Sequence, residues 1–407
     1  MTDAVVVSAT RSPIGRARKG SLVDVRPDDL AAQVVGAALE AVPGLSVAEL
    51  DDLMLGCAEP SGEHGTNLAR VVAVLLGHDG LPGTTVNRFC SSSVQTTRMA
   101  MHAIRAGEGH AFVSAGVECI SRYRGVSGSD LFGADVMNPR FTEARDRTAR
   151  TAELDADWHD PREDGALPDV YIAMGQTAEN VAHLRGISRE RQDHWGVTSQ
   201  NRAEAAIAAG HVAAEITPVT TPSGGVVSTD DGPRAGVTYE KVASLQPVFR
   251  ATGTVTAGNC CALNDGAAAL VVTSADFAHA HGLQPLARVV STGVSALSPE
   301  IMGLGPVEAS RQALERAGLT MSDVDLVEIN EAFASQVLAS ADELGVDEER
   351  LNVHGGAIAY GHPFGATGAR ITTTLLNALR VTDGTIGLET MCVGGGQGMA
   401  VVYERLS

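Results

Sequence analysis

Hydrophobic and polar positions along this chain follow two periods that alternate with each other. Short apolar runs, such as AVVVSAT near the amino terminus and AFVSAGVE from residue 111, are typical of strands. Segments of small and apolar residues at helical spacing come between such runs, as in 91–106. Strands that alternate with helices favour an α/β architecture with mixed sheets.

The same pattern occurs a second time farther along the chain. GLSVAELDDLMLG begins at Gly44 and GLTMSDVDLVEIN begins at Gly318, an offset of 318 − 44 = 274 residues. A helix-like segment followed by a strand-like run begins at Cys90 and again at His362, an offset of 362 − 90 = 272 residues. AVVVSAT is likewise echoed by ARVVSTG at Ala287. Near-constant offsets predict two duplicated halves that are rich in βαβ units.

Residues 121–262 differ in composition from the two repeated parts. They carry the charged segment RDRTARTAELDADWHDPRED and the Gly/Pro/Thr-rich segment TPVTTPSGGVVSTDDGPR. They also hold a helical stretch that begins after Ser188, its expected N-cap. We interpret this part as an inserted loop domain. Long loops within compact proteins are usually functional and often form lids or binding surfaces. The predicted N-terminal half then comprises 1–120 and 263–285, and the C-terminal half comprises 286–407.

Composition and charge narrow the classes of protein and partner. The chain has 407 residues, of which 44% are apolar and 19% are charged, as in a globular protein of two or three domains. The apolar runs are too short to span a bilayer and the start lacks a signal-peptide pattern, so we expect a cytoplasmic protein without a membrane partner. A formal charge of −19 argues against nucleic acid as a partner. We interpret the one basic cluster, Arg11–Gly20, as a solvated loop.

The six cysteines do not form the pattern of a metal site or of a disulfide framework. They occupy positions 57, 90, 119, 260, 261 and 392, without a CxxC pair or a histidine-rich neighbourhood. We therefore expect that no metal is bound and that the six thiols are free. Each cysteine is then either a small core residue or a reactive group. Cys57 and Cys119 are expected in the core.

Cys90 stands where the sequence favours a reactive thiol. It lies in NRFCSSSVQTTRMA, directly before a predicted helix over Ser91–Ala106. Backbone N–H groups and the helix dipole at such a position favour an anion, so the pattern predicts a thiolate nucleophile. The neighbouring serine hydroxyls are expected to cap the helix.

Three further segments carry candidate chemistry. His362 lies in the glycine-rich GGAIAYGHPFGATGAR and can act as a base or hydrogen-bond donor near neutral pH. Cys392 precedes a run of glycines in MCVGGGQGMA, a loop whose N–H groups can form an oxyanion hole. Asn330 follows the strand-like VDLVEI and can hold a water or a carbonyl oxygen. Two thiols and one imidazole indicate cysteine-based acyl transfer, in which one thiol attacks a carbonyl and the other moves a proton at carbon.

Four of these motifs, in the same order, resemble those of the thiolase family of acetyl-CoA acyltransferases, namely NRFCSSSVQ, NEAFA, GGAIAYGHPFGATGAR and CVGGGQG. The resemblance covers essentially the whole chain. It implies the thiolase fold, with two duplicated mixed-sheet α/β halves in five layers (αβαβα) and an inserted loop domain. It also implies a homodimer or homotetramer. The implied reaction is reversible Claisen condensation, either thiolytic cleavage of a 3-ketoacyl-CoA or formation of acetoacetyl-CoA.

The resemblance further implies a role for each residue of the site. Cys90 is the acylated nucleophile, and His362 activates it. His362 and a water held by Asn330 form one oxyanion hole, whereas the backbone N–H groups of Cys90 and Gly394 form the other. Cys392 exchanges the α-proton of acetyl-CoA.

Contacts with coenzyme A are implied in the loop domain. Coenzyme A and acyl-CoA are expected as substrates, with no permanently bound cofactor. Arg234 corresponds to a family arginine that contacts the adenine part, and Met174 and Phe249 correspond to pocket-lining positions. Cys261 stands where many members carry a serine that touches the pantetheine arm.

Two other functions stay open at this point. A ketoacyl-synthase-like condensing enzyme shares the fold, but it decarboxylates malonyl units and needs no second thiol. A non-catalytic acyl-CoA-binding protein would not need all four reactive residues. The acyl chain length, the direction within fatty acid metabolism and a 3-hydroxyacyl-CoA dehydrogenase partner are also left open.

Overall fold

A computed structural model describes residues 2–123 and 137–407, so that residues 124–136 of the predicted insertion lie outside the described residues. The strands are β1 (Ala4–Arg11), β2 (Gly15–Arg16), β3 (Asp52–Gly56), β4 (Gly83–Val86), β5 (Ala111–Cys119), β6 (Val219–Thr220), β7 (Val226–Val227), β8 (Asn264–Ser274), β9 (Ala287–Ala296), β10 (Leu326–Ile329), β11 (Ile386–Val393) and β12 (Gln397–Arg405). The helices are α1 (Pro27–Glu40), α2 (Leu68–Leu75), α3 (Ser92–Ala106), α4 (Thr142–Leu154), α5 (Met174–Arg185), α6 (Arg189–Ala208), α7 (Tyr239–Ala243), α8 (Ala275–Ala280), α9 (Gly305–Ala317), α10 (Ala334–Leu344), α11 (Ala357–Tyr360) and α12 (Thr367–Thr382).

The main sheet repeats the same strand pairings in each half of the chain. In the first half, β3 pairs with β5 in parallel, and β8 pairs antiparallel with both β5 and β1. In the second half, β10 pairs with β11 in parallel, and β12 pairs antiparallel with both β11 and β9. The two halves meet where β1 pairs antiparallel with β9. The duplication that the sequence predicts is therefore confirmed in the sheet topology.

Alternate side chains of the central strands face different layers of helices, because successive strand residues point to opposite sides. Ala269 of β8 packs in a cluster with α1 and α2, whereas its neighbour Leu270 packs with α3 and α12. Val401 of β12 also packs with α3 and α12, and Val402 packs with α9 and α10. The helices α3 and α12 thus lie between two sheet layers, which confirms the predicted five-layered α/β fold.

The two central helices approach each other closely near their N-terminal ends. A Cβ atom at Gly368 of α12 would collide with Val94 of α3. The hydroxyl of Ser93 accepts a hydrogen bond from the Ala369 backbone N–H at 3.0 Å. Because each of these helices follows a turn with a candidate catalytic residue, this packing brings the Cys90 and His362 segments together.

The chain between β5 and β8 contains, among its described residues, the helices α4 to α7 and the hairpin β6–β7. Ser188 is the N-cap of α6, as predicted, and its hydroxyl accepts from the Arg191 backbone N–H at 3.2 Å. Val181 of α5 and Trp195 of α6 join the core cluster around α9 and α10. This part of the chain therefore packs on the second half.

The interpretation of Arg11–Gly20 as a solvated loop is wrong for its first half, since Arg11–Gly15 are all buried and β2 pairs with β8. Arg11 ends β1, and only 1% of it is exposed. Its guanidinium donates to Glu215 at 3.1 Å and to both carboxylate oxygens of Asp230 at 2.8 and 3.0 Å. These partners lie more than 200 residues away along the chain, so the local charge pattern could not reveal them. The pairs fasten the predicted insertion to the sheet.

We expect Arg11→Met to lower the free energy of unfolding by about 3–5 kcal/mol, because Glu215 and Asp230 would stay buried without a counter-charge. Urea denaturation followed by circular dichroism measures the change. The matched control is Arg191→Met, since the Arg191–Asp342 pair has side chains that are 39% and 47% exposed. That exposed pair should contribute no more than about 1 kcal/mol. Equal losses in the two variants would contradict the assigned role of Arg11.

Candidate active site

Cys90 lies in a tight turn between β4 and α3. Phe89–Ser91 form a single turn of 3₁₀ helix, and α3 begins at Ser92, one residue later than predicted. Phe89 has a φ of 44°, in the left-handed region that an aromatic residue rarely adopts. Such strain persists only where the surrounding structure holds the backbone in place, and it is frequent at functional sites.

The serine hydroxyls hold this turn and do not cap the helix, so their predicted capping role is wrong. The Ser92 hydroxyl donates to the Phe89 carbonyl at 2.6 Å and accepts from the Arg88 N–H at 2.9 Å. The Ser91 hydroxyl donates to the Arg88 carbonyl at 3.1 Å. The Asn87 side chain accepts from the Phe89 N–H at 2.8 Å. These local bonds stabilise the strained turn that presents Cys90.

The Cys90 thiol is neutral at rest, contrary to the predicted thiolate. Burial raises the pKa of Cys90 to about 12. The backbone N–H groups of Gly394 and of Cys90 itself point at the sulfur and lower this pKa, but they do not offset the loss of water. The expectation of a thiolate considered the helix terminus alone and left out desolvation, which is the larger effect here.

The two N–H groups at the Cys90 sulfur come from opposite ends of the chain. Gly394 lies in the turn between β11 and β12, directly after the strand ends at Val393. The Phe89 ring packs near its Cα, so that an added Cβ would touch the ring at 3.5 Å. A pair of N–H donors beside a nucleophile is the arrangement that an oxyanion hole requires.

His362 is a neutral imidazole with a defined proton position. Its Nδ1 lies 2.7 Å from the Thr367 hydroxyl, which donates its own proton to the Pro363 carbonyl at 3.1 Å. The hydroxyl therefore accepts from Nδ1–H, and Nε2 carries the lone pair. Burial, followed by the charge of Arg370, lowers the pKa of His362 to about 3. In this tautomer Nε2 is an acceptor, and its lone pair accepts from the Asn330 side-chain amide at 3.4 Å.

Asn330 lies directly after β10 and faces the same imidazole. Its Nδ2 lies 3.4 Å from Nε2 of His362. Its Oδ1 is buried and has no hydrogen-bond partner among the described residues. A buried acceptor without a protein partner is a position where a water binds, since an unpaired buried oxygen is costly.

Cys392 is the penultimate residue of β11 and is 1% exposed. Burial and then the neighbouring Cys90 raise its pKa well above the usual value for a thiol. Burial, and then Cys260, Cys90 and Cys392, raise the pKa of Cys261. Strand β11, which carries Cys392, packs against the Phe89–Ser91 turn that carries Cys90. The turn Phe364–Ala366, which follows His362, packs against the Cys90 turn. The structure thus brings both predicted thiols and the predicted imidazole to one place.

Three of the expected coenzyme A contacts line two cavities, whereas Phe249 lines neither of them. Arg234 and Cys261 line an open cleft of about 440 Å³, together with Arg16 and Lys241. Met174 lines a smaller pocket of about 80 Å³ that contains Cys90. Phe249 packs against Phe333 with ring centroids 6.1 Å apart, in the apolar cluster that includes Cys392.

Comparison with known proteins agrees with this geometry. The family model described as "Thiolase, N-terminal domain" matches residues 4–276, and "Thiolase, C-terminal domain" matches residues 283–405. The chain belongs to the thiolase family. It is therefore an acyltransferase that acts on coenzyme A thioesters, and the ketoacyl-synthase-like alternative is disfavoured.

Curated relatives of this thiolase carry several different names. A "Beta-ketoadipyl-CoA thiolase" of Acinetobacter baylyi is 41% identical and an "Acetyl-CoA acetyltransferase" of Escherichia coli is 42% identical, each over 100% of both chains. A "3-ketoacyl-CoA thiolase" of Bacillus subtilis is 40% identical over 99% of this chain and 100% of the relative. The crystal structure of the Bacillus anthracis acetyl-CoA acetyltransferase superposes with a TM-score of 0.86 at 39% identity, covering 100% of this chain and 99% of that one.

Sequence reasoning missed two residues that position His362 in this thiolase. Thr367 fixes the imidazole tautomer, and Asn264 accepts from the His362 backbone N–H at 3.0 Å. Thr367 lies five residues after His362 in the same glycine-rich motif, which was a usable signal. Asn264 is 98 residues away along the chain, so no local pattern could have connected it to the site.

Two kinds of feature are absent from the described part of the chain. It contains no group of three or more His, Cys, Asp or Glu side chains that could hold a metal ion. Within the same residues, no helix has both the length and the apolar character needed to cross a membrane.

We expect the His362 imidazole to stay neutral, with its proton on Nδ1, because its pKa lies near 3 in the folded protein. Nitrogen-15 NMR of histidine-labelled protein, with His362→Asn to assign the signal, measures both properties. The His362 signal should not titrate between about pH 5 and 8, whereas an exposed histidine titrates near about 6.5. A His362 midpoint near 6.5, or a proton on Nε2, would contradict the assigned tautomer.

We expect Cys90 to react slowly with iodoacetamide at neutral pH, since only the thiolate is nucleophilic. The alkylation rate of Cys90, followed by peptide mass spectrometry, should rise about tenfold per pH unit up to about pH 10 without levelling off. The urea-denatured chain is the control, and its rate should level off near the ordinary cysteine pKa of about 8.5. A plateau of the native rate near neutral pH would instead support the thiolate.

Proposed function

We propose that this thiolase cleaves 3-ketoacyl-CoA with coenzyme A, and catalyses the reverse condensation of two acetyl-CoA, through an acyl group carried on Cys90. The observation that carries the proposal is the pair of N–H groups, from Cys90 and Gly394, that face the Cys90 sulfur. The relatives named acetyl-CoA acetyltransferase and 3-ketoacyl-CoA thiolase support this substrate class.

The first step in the cleavage direction is attack on the ketone. Nε2 of His362 accepts the thiol proton while the Cys90 sulfur bonds to the ketone carbon of the substrate. The N–H groups of Cys90 and Gly394 stabilise the tetrahedral oxyanion. Because thiol and imidazole are both neutral at rest, the proton moves during the attack rather than before it.

The second step breaks the carbon–carbon bond and releases the enolate of acetyl-CoA. The protonated Nε2 of His362 and a water held by Asn330 donate to the enolate oxygen. Cys392 delivers its proton to the enolate carbon, which gives acetyl-CoA. The raised pKa of Cys392 keeps this thiol protonated until the enolate forms.

The last step transfers the acyl group to coenzyme A. The incoming coenzyme A thiol gives its proton to the Cys392 thiolate and attacks the acyl carbon on Cys90. The Cys90 sulfur leaves and recovers its proton from His362, so both thiols and the imidazole return to their resting states. The products are acetyl-CoA and a shortened acyl-CoA.

The open cleft suits an anionic coenzyme A. Arg16, Arg234 and Lys241 all line it, although the chain as a whole carries a charge of −19. Local cations are needed where protein and ligand are both anionic, because the overall field would otherwise repel the ligand. Cys261 lines the same cleft near Cys90, where it would contact the pantetheine arm.

We further propose a homo-oligomer that works in the cytoplasm in fatty acid metabolism. The edge of the main sheet supports the first point. β4 ends the sheet and pairs only with β3 among the described strands, which leaves hydrogen-bonding groups for a second copy.

We expect Cys90→Ala to abolish both the conversion of acetoacetyl-CoA and coenzyme A to acetyl-CoA and the acyl-enzyme seen by intact-protein mass spectrometry. Cys392→Ala should still form the acyl-enzyme from acetyl-CoA. In this variant, the rate of condensation and the rate of deuterium exchange at the acetyl methyl group should both fall about 10²–10⁴-fold. A loss of this size is typical when a general acid–base group is removed.

The pair of variants separates this proposal from a non-catalytic acyl-CoA-binding protein. An acyl-CoA carrier would bind acetyl-CoA equally in the wild type and in Cys90→Ala, without turnover in either. Cys119→Ala is the control for removal of a thiol, since Cys119 is buried in the core of the first half. Turnover in the Cys90→Ala protein would refute the acyl-enzyme.

A further inference from the structure

The pocket beside Cys90 is small and has mainly apolar walls. Its volume is about 80 Å³. For comparison, an apolar protein cavity of about 150 Å³ holds one benzene molecule. The pocket therefore suits a short acyl chain. Its larger side chains are those of Phe89, Tyr123, Val170, Ile172, Met174 and Phe364.

Glu59 is the one charged residue among the described residues that line this pocket. It is partly exposed, and its carboxylate has no hydrogen-bond or ion-pair partner within the described ranges 2–123 and 137–407. No arginine, lysine or histidine of those ranges lines the same space. Among the described residues, Glu59 is therefore the charged side chain that an acyl chain meets in this pocket, and the Glu118 carboxylate behind it adds no positive charge.

The backbone at Glu59 is fixed by a second, fully buried carboxylate. Glu118 accepts from the N–H groups of Ala58 at 2.8 Å and Glu59 at 3.4 Å, and from the Tyr123 hydroxyl at 2.7 Å. The same carboxylate accepts from the Gly365 N–H at 2.9 Å, in the turn after His362. Because one buried group holds both walls of the pocket, the chain at Glu59 is not free to move away from an acyl group.

The charge at Glu59 matters because the named relatives differ in the charge of their substrates. A β-ketoadipyl chain ends in a carboxylate, and its cleavage between the second and third carbons leaves a succinyl group on the nucleophile. A 3-ketoacyl chain without that carboxylate leaves a neutral acyl group. Among the described residues of this pocket, a succinyl carboxylate would face Glu59 with no lysine, arginine or histidine beside it, and like charges repel more strongly where little water screens them.

We infer that Glu59 makes this thiolase selective for short, uncharged acyl chains and against chains that end in a carboxylate. The inference rests on the proposed function and names its substrate class. It separates this chain from its relatives named for β-ketoadipyl-CoA. Sequence identity does not make that separation, since the cited β-ketoadipyl relative is 41% identical and the two others are 40% and 42% identical.

The test compares two substrates of equal length, 3-oxoadipyl-CoA and 3-oxohexanoyl-CoA, which differ in the terminal carboxylate. The measured quantity is the ratio of their kcat/KM values in thiolysis. The wild-type ratio should be well below one, and Glu59→Gln should raise it at least about tenfold, as expected when a like charge is removed from a partly buried site. Glu108→Gln removes the same charge from an exposed position outside the pocket and should leave the ratio unchanged.

The outcomes distinguish this inference from the proposed function. Failure of the wild type to cleave either substrate would refute the proposed function itself. Cleavage of 3-oxohexanoyl-CoA with a wild-type ratio near one, or with the same ratio in Glu59→Gln, would overturn the role of Glu59 alone. A second measurement uses the wild-type protein alone. Raised salt screens the repulsion between Glu59 and the substrate carboxylate, so it should increase the wild-type ratio of kcat/KM values. A ratio that falls with salt would also overturn the inference.

Discussion

The removal of water from the reacting groups is the constraint on which the rest of this site depends. Burial raises the pKa of Cys90 to about 12 and lowers that of His362 to about 3, so thiol and imidazole meet as neutral groups. No resting ion pair is present to stabilise the charge that develops on the substrate oxygen. The directed N–H groups of Cys90 and Gly394 must do so, and one such donor in a dry site contributes about 2.7–4 kcal/mol.

Duplication explains how two distant segments of the chain reach this dry site together. The halves share one strand topology and join where β1 pairs with β9. Equivalent helices, α3 and α12, then lie side by side in the central layer. Cys90 lies in the turn that leads into α3, and His362 lies two residues before the turn that leads into α12. Each half supplies only one of these two segments. Cys90 and His362 therefore meet only because the two halves pack face to face.

The chain between the halves and the N-terminal half together supply walls that surround the chemistry. Ion pairs of Arg11 with Glu215 and Asp230 hold this part of the chain against β1. Buried Glu118 holds the wall that carries Glu59 and the turn after His362 at the same time. Selectivity and catalysis are therefore coupled through one carboxylate, and a change that loosens the pocket wall would also loosen the histidine turn.

The sequence by itself determined the alternation of strands and helices, the duplication and the four reactive residues, because periodicity and short motifs are local properties. It also indicated the N-cap at Ser188 for the same reason. Only the tertiary structure decided the protonation of Cys90, the burial of Arg11 and the charge that Glu59 places in the acyl pocket. These depend on which groups lose contact with water and on partners far apart in the chain, such as Glu118 and Ala58, which are 60 residues apart. Desolvation and long-range pairing are set by packing, and no short stretch of residues determines either of them.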